Sequence, residues 1–481
     1  MIKNSESVAH KTARTSLWSG IEKIGTLGIQ FVISMLLARL LAPDDYGAIA
    51  MLTVFIAISN QVVACGFVNA LIRKLECKSI DYSTAFYFNI VVSLICYAFL
   101  YLIAPYVAIF YNMDILCPVL RACGLSIPIG ALTLVQDAIL QRNLQVKKLT
   151  LVSVTTSVLS GIFAVCLAYK GFGIWALVFN QLFGGLLRAV LLWYKTLWLP
   201  KWEYSKESMK YLWNFGSKML LTEFISVTYA NIYSIVIGKF YTSNTLGVFN
   251  RGQNIAILLP NVLEGIFVRN SLPIMSQLQN DNERLIHVYA EFIRLTCFLT
   301  FPVVIMMTIL ADPFVRFVLT EKWLGCVVYI QIFSLNAMLS PANSVNLNLL
   351  QVYGRSDYTL KAEVIKKSVG FLLVALLLPY GPLVLAIGTV FMTLLANTVN
   401  LHYAKKLSGL TYWFQIQIMI PIFICSIVMG GLVILATMFI DNSLMKLLMG
   451  SLTGVVSYYI LTAYVFKLGT AQKIINYRKI I

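Results

Sequence analysis

The stretch Arg39-Leu-Leu-Ala-Pro-Asp-Asp-Tyr-Gly47 decides how this chain is read. It lies between two long apolar runs, so it forms a tight turn joining two membrane helices. A related stretch, Lys239-Phe-Tyr-Thr-Ser-Asn-Thr-Leu-Gly247, returns later with a basic residue and a glycine at the same interval. In both copies the glycine opens the next apolar segment. A trait repeated at the head of each half points to a duplicated architecture.

Asp44-Asp45 is the most chemical-looking part of the turn. Adjacent acids in an outer connection could hold a divalent metal in a membrane glycosyltransferase. The second copy, however, carries Asn244 and Thr245 there, and these cannot supply two carboxylates. Asp and Asn do share the ability to cap a helix N-terminus. The acids are therefore expected to cap the second helix, and the turn to be a scaffold corner that does not touch a ligand.

Of the 481 residues, 59% are hydrophobic and only 12% charged, and the mean hydropathy is +0.80. Soluble domains carry about 25% charge, so the chain is a polytopic membrane protein. Its net charge of +17 sits mostly in alternate connections, as membrane orientation by the positive-inside rule requires. That placement argues against nucleic acid as a partner. The nine cysteines form no CxxC pair, and His10, His287 and His402 are far apart. They read as small buried hydrophobes and scattered polar residues rather than metal ligands or a disulfide framework. No HExxH, GxSxG or phosphate-loop motif occurs, so no catalytic residue, metal or cofactor is expected.

A span needs about 20 mostly apolar residues. That length predicts spans at 17–41, 47–71, 84–110, 115–140, 150–169, 173–194, 210–238, 246–272, 290–311, 325–351, 362–379, 382–403, 414–438 and 444–466, about fourteen in all. The first run is too long for a signal-peptide core of roughly 7–15 residues and is read as retained. Lysines and arginines cluster at the N-terminus, in alternate connections and in the tail from Lys467 to Lys479. This predicts both termini in the cytoplasm. The outer connections are short, the longest lying around 312–322, so no extramembrane domain is expected.

Further matches keep the same order in both halves. Trp18-Ser-Gly pairs with Trp213-Asn-Phe-Gly, Ile139-Leu-Gln-Arg with Leu349-Leu-Gln-Val, and Tyr169-Lys-Gly-Phe-Gly with Tyr380-Gly-Pro. Six spans separate the copies, so both halves enter the membrane from the same side. The expected fold is all-α, with an N-terminal lobe in 1–200 and a second six-helix lobe in 201–408. Residues 409–481 add two helices and a basic cytoplasmic tail. Two like-oriented lobes suit alternating access around a cleft, and Pro128, Pro260, Pro302 and Pro341 are candidate kinks within spans.

Charges within spans cost at least ~2.5–3.5 kcal/mol at mid-bilayer and usually face a cavity or a partner. Lys23, Arg121, Lys218 and Arg251 are the candidate substrate-binding cations. Together they would favour an anionic ligand such as a diphosphate, because arginine offers paired donors to phosphate. Glu223 and Glu264 are the candidate acids for a coupling ion, H+ or Na+. Glu22, Arg188, Lys218, Glu291 and Arg294 lie near span ends, where snorkelling to the interface is the plainer explanation. Gln30, Asn60, Gln61, Asn180, Gln181, Asn231 and Asn254 add uncharged polar groups, and Trp175, Tyr229 and Tyr233 could stack on sugar rings. Interhelical hydrogen bonding is the simpler role for most of these.

Leu37-Ala-Arg-Leu-Leu-Ala-Pro-Asp-Asp-Tyr-Gly47, with Leu246-Gly-Val-Phe-Asn-Arg-Gly-Gln253 heading the second half, resembles the Wzx-type polysaccharide flippases. These belong to the multidrug/oligosaccharidyl-lipid/polysaccharide exporter superfamily, and the resemblance extends over the whole chain. It implies two lobes in a V, a cationic cavity, and transfer of a polyprenyl-diphosphate-linked oligosaccharide between leaflets of the bacterial inner membrane. It also implies membrane lipids and other polysaccharide-assembly proteins as partners. Arg251 falls on the family's Asn-Arg pattern, although Phe249 stands where a tyrosine is often found. Lys23 matches the family's habit of placing a charge in span one. A drug/cation antiporter of the same superfamily is the alternative, but would be expected to stop near twelve spans with acidic cavity residues. A membrane glycosyltransferase, ligase or polymerase would need a large outer loop.

Overall fold

The computed structural model describes residues 25–74 and 76–465. Glu22, Lys23, the Trp18 motif and the basic tail lie outside the described residues. Among the described residues all regular structure is helical. That is the outcome expected for apolar chain in a bilayer, where each backbone N–H and C=O must be satisfied internally.

The chain packs as two compact units, Met1–Gly247 and Val248–Ile481. The first unit holds α1 (Gly25–Leu40), α2 (Pro43–Ala64), α3 (Phe67–Arg73), α4 (Ser79–Tyr111), α5 (Leu116–Gly124) and α6 (Ser126–Arg142). It continues with α7 (Val146–Tyr169), α8 (Ile174–Thr196), α9 (Lys206–Ala230) and α10 (Ile232–Phe240). Helix α11 (Ser243–Ser276) begins there and runs on into the second unit. That unit adds α12 (Asn282–Ile309), α13 (Ala311–Phe314), α14 (Cys326–Met338), α15 (Ser340–Val352), α16 (Ser356–Leu377), α17 (Pro382–Ser408), α18 (Tyr412–Thr437) and α19 (Ser443–Ile460). The packing seam thus falls at 247/248, because α9 and α10 pack within the first unit. The division at 200 and 408 concerns duplicated sequence, which packing does not address.

Every expected span overlaps helix. By length and apolarity alone, nine helices among the described residues qualify as membrane-crossing. Helix α1 is apolar as well, over the shorter stretch Gly25–Leu40. The polar candidates Lys218 and Glu223 lie on α9, and Arg251 and Glu264 on α11. Outward faces elsewhere are apolar and exposed, as at Leu102, Ile109, Leu435 and Phe439, which is where lipid tails belong.

The duplication is visible in the backbone. Two residues past α6 and two past α15 the chain turns left-handed, at Leu144 (φ 52°) and Gly354 (φ 68°). Gly173 and Gly381, also at positive φ, precede α8 and α17. Pro128 and Pro341 stand in the first turns of α6 and α15, where a missing N–H costs nothing. Pro260 and Pro302 lie inside α11 and α12. The last two helices dock on α12: Tyr458 donates to the Phe298 carbonyl at 2.7 Å, and Gly454 packs on Met306. The long connection around 312–322 is folded rather than loose. Arg316 binds Asp312 at 3.0 Å, and Trp323 is wholly buried.

Candidate functional site

The two copies of the opening turn touch each other within the first unit, and they do so reciprocally. A Cβ on Gly47 would sit 1.8 Å from the Ser243 carbonyl oxygen, and one on Gly247 would sit 2.0 Å from the Pro43 carbonyl oxygen. Residue 47 meets 243 while residue 247 meets 43, the pattern of a two-fold contact. Only glycine allows helix backbones this close. The acids divide their work. Asp45 accepts from the Ala42 N–H at 3.1 Å and caps α2 as expected. Asp44 does not cap: it accepts from Ser243 Oγ at 2.6 Å and Asn244 Nδ2 at 3.0 Å. Lys239, which leads the second copy, donates to the Phe110 carbonyl at 2.5 Å, at the C-terminal end of α4.

Beside this corner a cavity of about 560 Å³ opens among α1, α7 and α8. Its lining includes Gln30, Tyr46, Asn180, Gln181 and Arg188, with a row of serines and threonines from α7. Tyr46 belongs to the turn itself, so one residue of the expected scaffold corner stands on a cavity wall. Arg188 does not snorkel. Its guanidinium donates to Asp137 Oδ1 at 2.9 Å and Ser153 Oγ at 3.1 Å, tying α8 to both α6 and α7. Gln181 Nε2 donates to Ser126 Oγ at 3.0 Å, a second link from α8 to α6.

The corresponding helices of the second unit, α14–α15 and α17, are joined by a seam of uncharged side chains. Asn400 Nδ2 donates to Asn343 Oδ1 at 2.7 Å and Asn346 Nδ2 to Asn397 Oδ1 at 2.9 Å, while Thr393 donates to Asn336. Asn346 also accepts from the buried Tyr289 hydroxyl at 2.6 Å. Equivalent helices thus meet through a charged, cavity-facing seam in one unit and a neutral, partly buried one in the other.

Among the expected site residues, Arg251 is 6% exposed, with its guanidinium 5.7 Å from the centre of the Trp323 ring. Arg121 lies in the first unit, 4.2 Å from the Tyr101 ring centre, its Nε donating to the Tyr101 carbonyl at 3.4 Å. These two cations therefore belong to different units. Lys23 is outside the described residues, and Lys218 lies on α9. Glu264 accepts from Ser340 Oγ at 3.0 Å and from Ser344 Oγ, whereas Glu223 is exposed on α9. Glu291 and Arg294 pair on α12 at 2.5 Å, and Arg294 borders a smaller cavity of about 270 Å³ against α18.

Sequence reasoning missed Asp137 and the asparagine seam. Asp137 lies inside the expected span 115–140, one turn from its end, but is not among the in-span charges singled out. The seam had a signal: polar residues seven apart, 336/343 and 393/400, mark one face of each helix. Among the described residues no cluster of three His, Cys, Asp or Glu side chains could hold a metal.

The chain matches the model of the polysaccharide biosynthesis protein family over residues 36–328. It belongs to this family. The matched region takes in both turn copies, the cavity helices α7 and α8, Arg251 and Glu264. Similar relatives include the lipopolysaccharide biosynthesis protein WzxC of Escherichia coli, 22% identical with 88% of each chain covered. Another is the teichuronic acid biosynthesis protein TuaB of Bacillus subtilis, 24% identical over 73% of each. In fold the chain is similar to the lipid II flippase MurJ in an inward closed conformation, with a TM-score of 0.75 and 17% identity. That likeness covers 95% of this chain and 99% of the other. An inward-facing MATE family multidrug transporter aligns at a TM-score of 0.64 and 14% identity, covering 80% and 98%. The family match and nine helices among the described residues long and apolar enough to cross a membrane make this a multi-pass membrane protein of polysaccharide biosynthesis.

Proposed function

We propose that the protein is a flippase, not an enzyme, which moves a polyprenyl-diphosphate-linked oligosaccharide from the cytoplasmic to the outer leaflet of the bacterial inner membrane. The observation that carries this reading is the family match over residues 36–328, which takes in the first half and the head of the second. Relatives named for lipopolysaccharide and teichuronic acid synthesis support it, and so does the fold shared with a lipid II flippase. The MATE likeness is a likeness of fold, and the polysaccharide family match weighs against the drug antiporter alternative.

The diphosphate is assigned to the in-span cations Lys23, Arg251, Arg121 and Lys218. Supporting this, Arg121, Lys218 and Arg251 all lie inside the stretch that the family model matches. Arg251 lies beneath Trp323, so its engagement with phosphate requires the folded 311–325 connection to shift during the cycle. Coupling to H+ or Na+ is assigned to Glu264, whose carboxylate two serine hydroxyls hold in place, with the exposed Glu223 second. No cofactor is invoked. Both termini are placed in the cytoplasm, and lipids and other polysaccharide-assembly proteins are the surrounding partners.

Replacing Arg251 with Ala tests the assignment. Surface polysaccharide should fall to the level of a deletion strain at unchanged protein abundance in the membrane. Normal surface polysaccharide would remove Arg251 from the site.

A further inference from the structure

The cavity among α1, α7 and α8 has a lining unlike the cations that suit a diphosphate. Of the described residues that line it, one is charged, Arg188. That guanidinium already donates to Asp137 and Ser153, so the pair leaves little net charge to attract an anion. The rest of the polar wall is amide and hydroxyl.

The wall is also rich in acceptors. Thr156 spends its hydroxyl proton on the Val152 and Ser153 carbonyls of its own helix, at 2.9 and 3.0 Å. Its lone pairs remain for the cavity. Asn180 Oδ1 and Thr26 Oγ1 are buried atoms with no hydrogen-bond partner, the first an acceptor and the second a hydroxyl that can accept or donate. Buried polar groups are nearly always satisfied, so an orphaned acceptor on a cavity wall points to a donor that arrives there. A diphosphate presents only acceptors and negative charge, so it would leave the Asn180 and Thr156 lone pairs unmet. A sugar presents hydroxyl and acetamido donors, and side-chain amides can both accept from and donate to neighbouring hydroxyls. Tyr46 adds a flat ring, its hydroxyl directed at the Ser34 carbonyl at 3.4 Å. The volume, about 560 Å³, sits within the ~300–1,000 Å³ typical of small-molecule sites. It suits one or two sugar rings rather than a whole lipid-linked unit.

We propose that this cavity is a subsite for an uncharged sugar residue of the transported glycan, read by the Asn180 carbonyl oxygen and the Gln30 and Gln181 amides. The proposal rests on the flippase reading and deepens it, by separating the place that holds sugar from the residues that hold diphosphate.

The test uses the full chain in lipid nanodiscs and two probes. One is the glycan released by mild acid from the lipid-linked material of a deletion strain; the other is polyprenyl diphosphate without sugar. Asn180→Leu should weaken glycan binding about tenfold, the loss expected for one hydrogen bond, and leave polyprenyl diphosphate binding unchanged. Asn180→Asp keeps an acceptor at the same point and should bind glycan within about threefold of the parent. Gln181→Leu, at a more open position, provides a second variant should Asn180→Leu fail to fold, and should show the same selective loss. Loss of diphosphate binding with glycan binding intact would overturn the subsite, as would equal loss of both probes or loss of neither. Failure of the unaltered protein to bind either probe would instead count against the flippase reading itself.

Discussion

A methyl group at Gly47 would meet the Ser243 carbonyl at 1.8 Å, and one at Gly247 would meet the Pro43 carbonyl at 2.0 Å. Neither obstacle is a flexible side chain, so helix backbone must move to admit either. Gly47→Ala and Gly247→Ala should each destabilise the protein by about 1–3 kcal/mol, the usual range for overpacking. A fall in thermal unfolding midpoint in detergent would register it, and an unchanged midpoint would refute the reciprocal contact. The Arg188–Asp137 pair gives a second prediction. Arg188→Met leaves the Asp137 carboxylate among helices without its cation, which for buried pairs costs about 3–5 kcal/mol. The adjoining cavity moderates this, so the lower end is expected. Adding Asp137→Asn should restore much of the loss, because no unpaired charge then remains. A double variant no more stable than Arg188→Met would contradict the pairing.

At the scale of elements, the seam between α15 and α17 separates single hydrogen bonds from a junction. Asn343 makes one bond to Asn400, and interhelical side-chain bonds within membranes average about 0.6 kcal/mol. Asn343→Ala strands one group, the fully buried Asn400 amide, and should cost about 1 kcal/mol. Asn346 serves Asn397 and the fully buried Tyr289 hydroxyl together, so Asn346→Leu strands two polar groups and should cost about 2 kcal/mol or more. Equal unfolding midpoints for these two variants would contradict the junction. This is also where the limit of sequence reading lies. The helices themselves were legible, because apolar runs of spanning length have few alternatives, and the turn motif marked the repeat. The pairing of Asp137 with Arg188 was not, since it joins α6 to α8 across another intervening helix and no local rule connects them. Asp44 and Asp45 show the same divide within two residues. The cap is local and was foreseen; the bond to Ser243 and Asn244 needed the fold to bring the two copies of the turn together.

For the whole molecule, both halves carry equivalent helices, turns and seams, yet the polar chemistry differs between them. The first unit keeps its charged seam beside a cavity lined by amides and hydroxyls, and the second pairs neutral amides. Duplication followed by such divergence suits a carrier that holds a ligand with two chemically distinct ends, sugar and diphosphate. The most direct measurement of the central claim is leaflet transfer by the purified protein. It would be reconstituted in liposomes loaded on their inner leaflet with lipid-linked oligosaccharide from a deletion strain, and the glycan reaching the outside followed with an impermeant lectin. The account predicts that glycan appears outside with the full chain, stays inside in protein-free liposomes, and is chemically unaltered throughout. Glycan that stays inside with the full chain present, or that is lengthened or transferred without crossing, would contradict it.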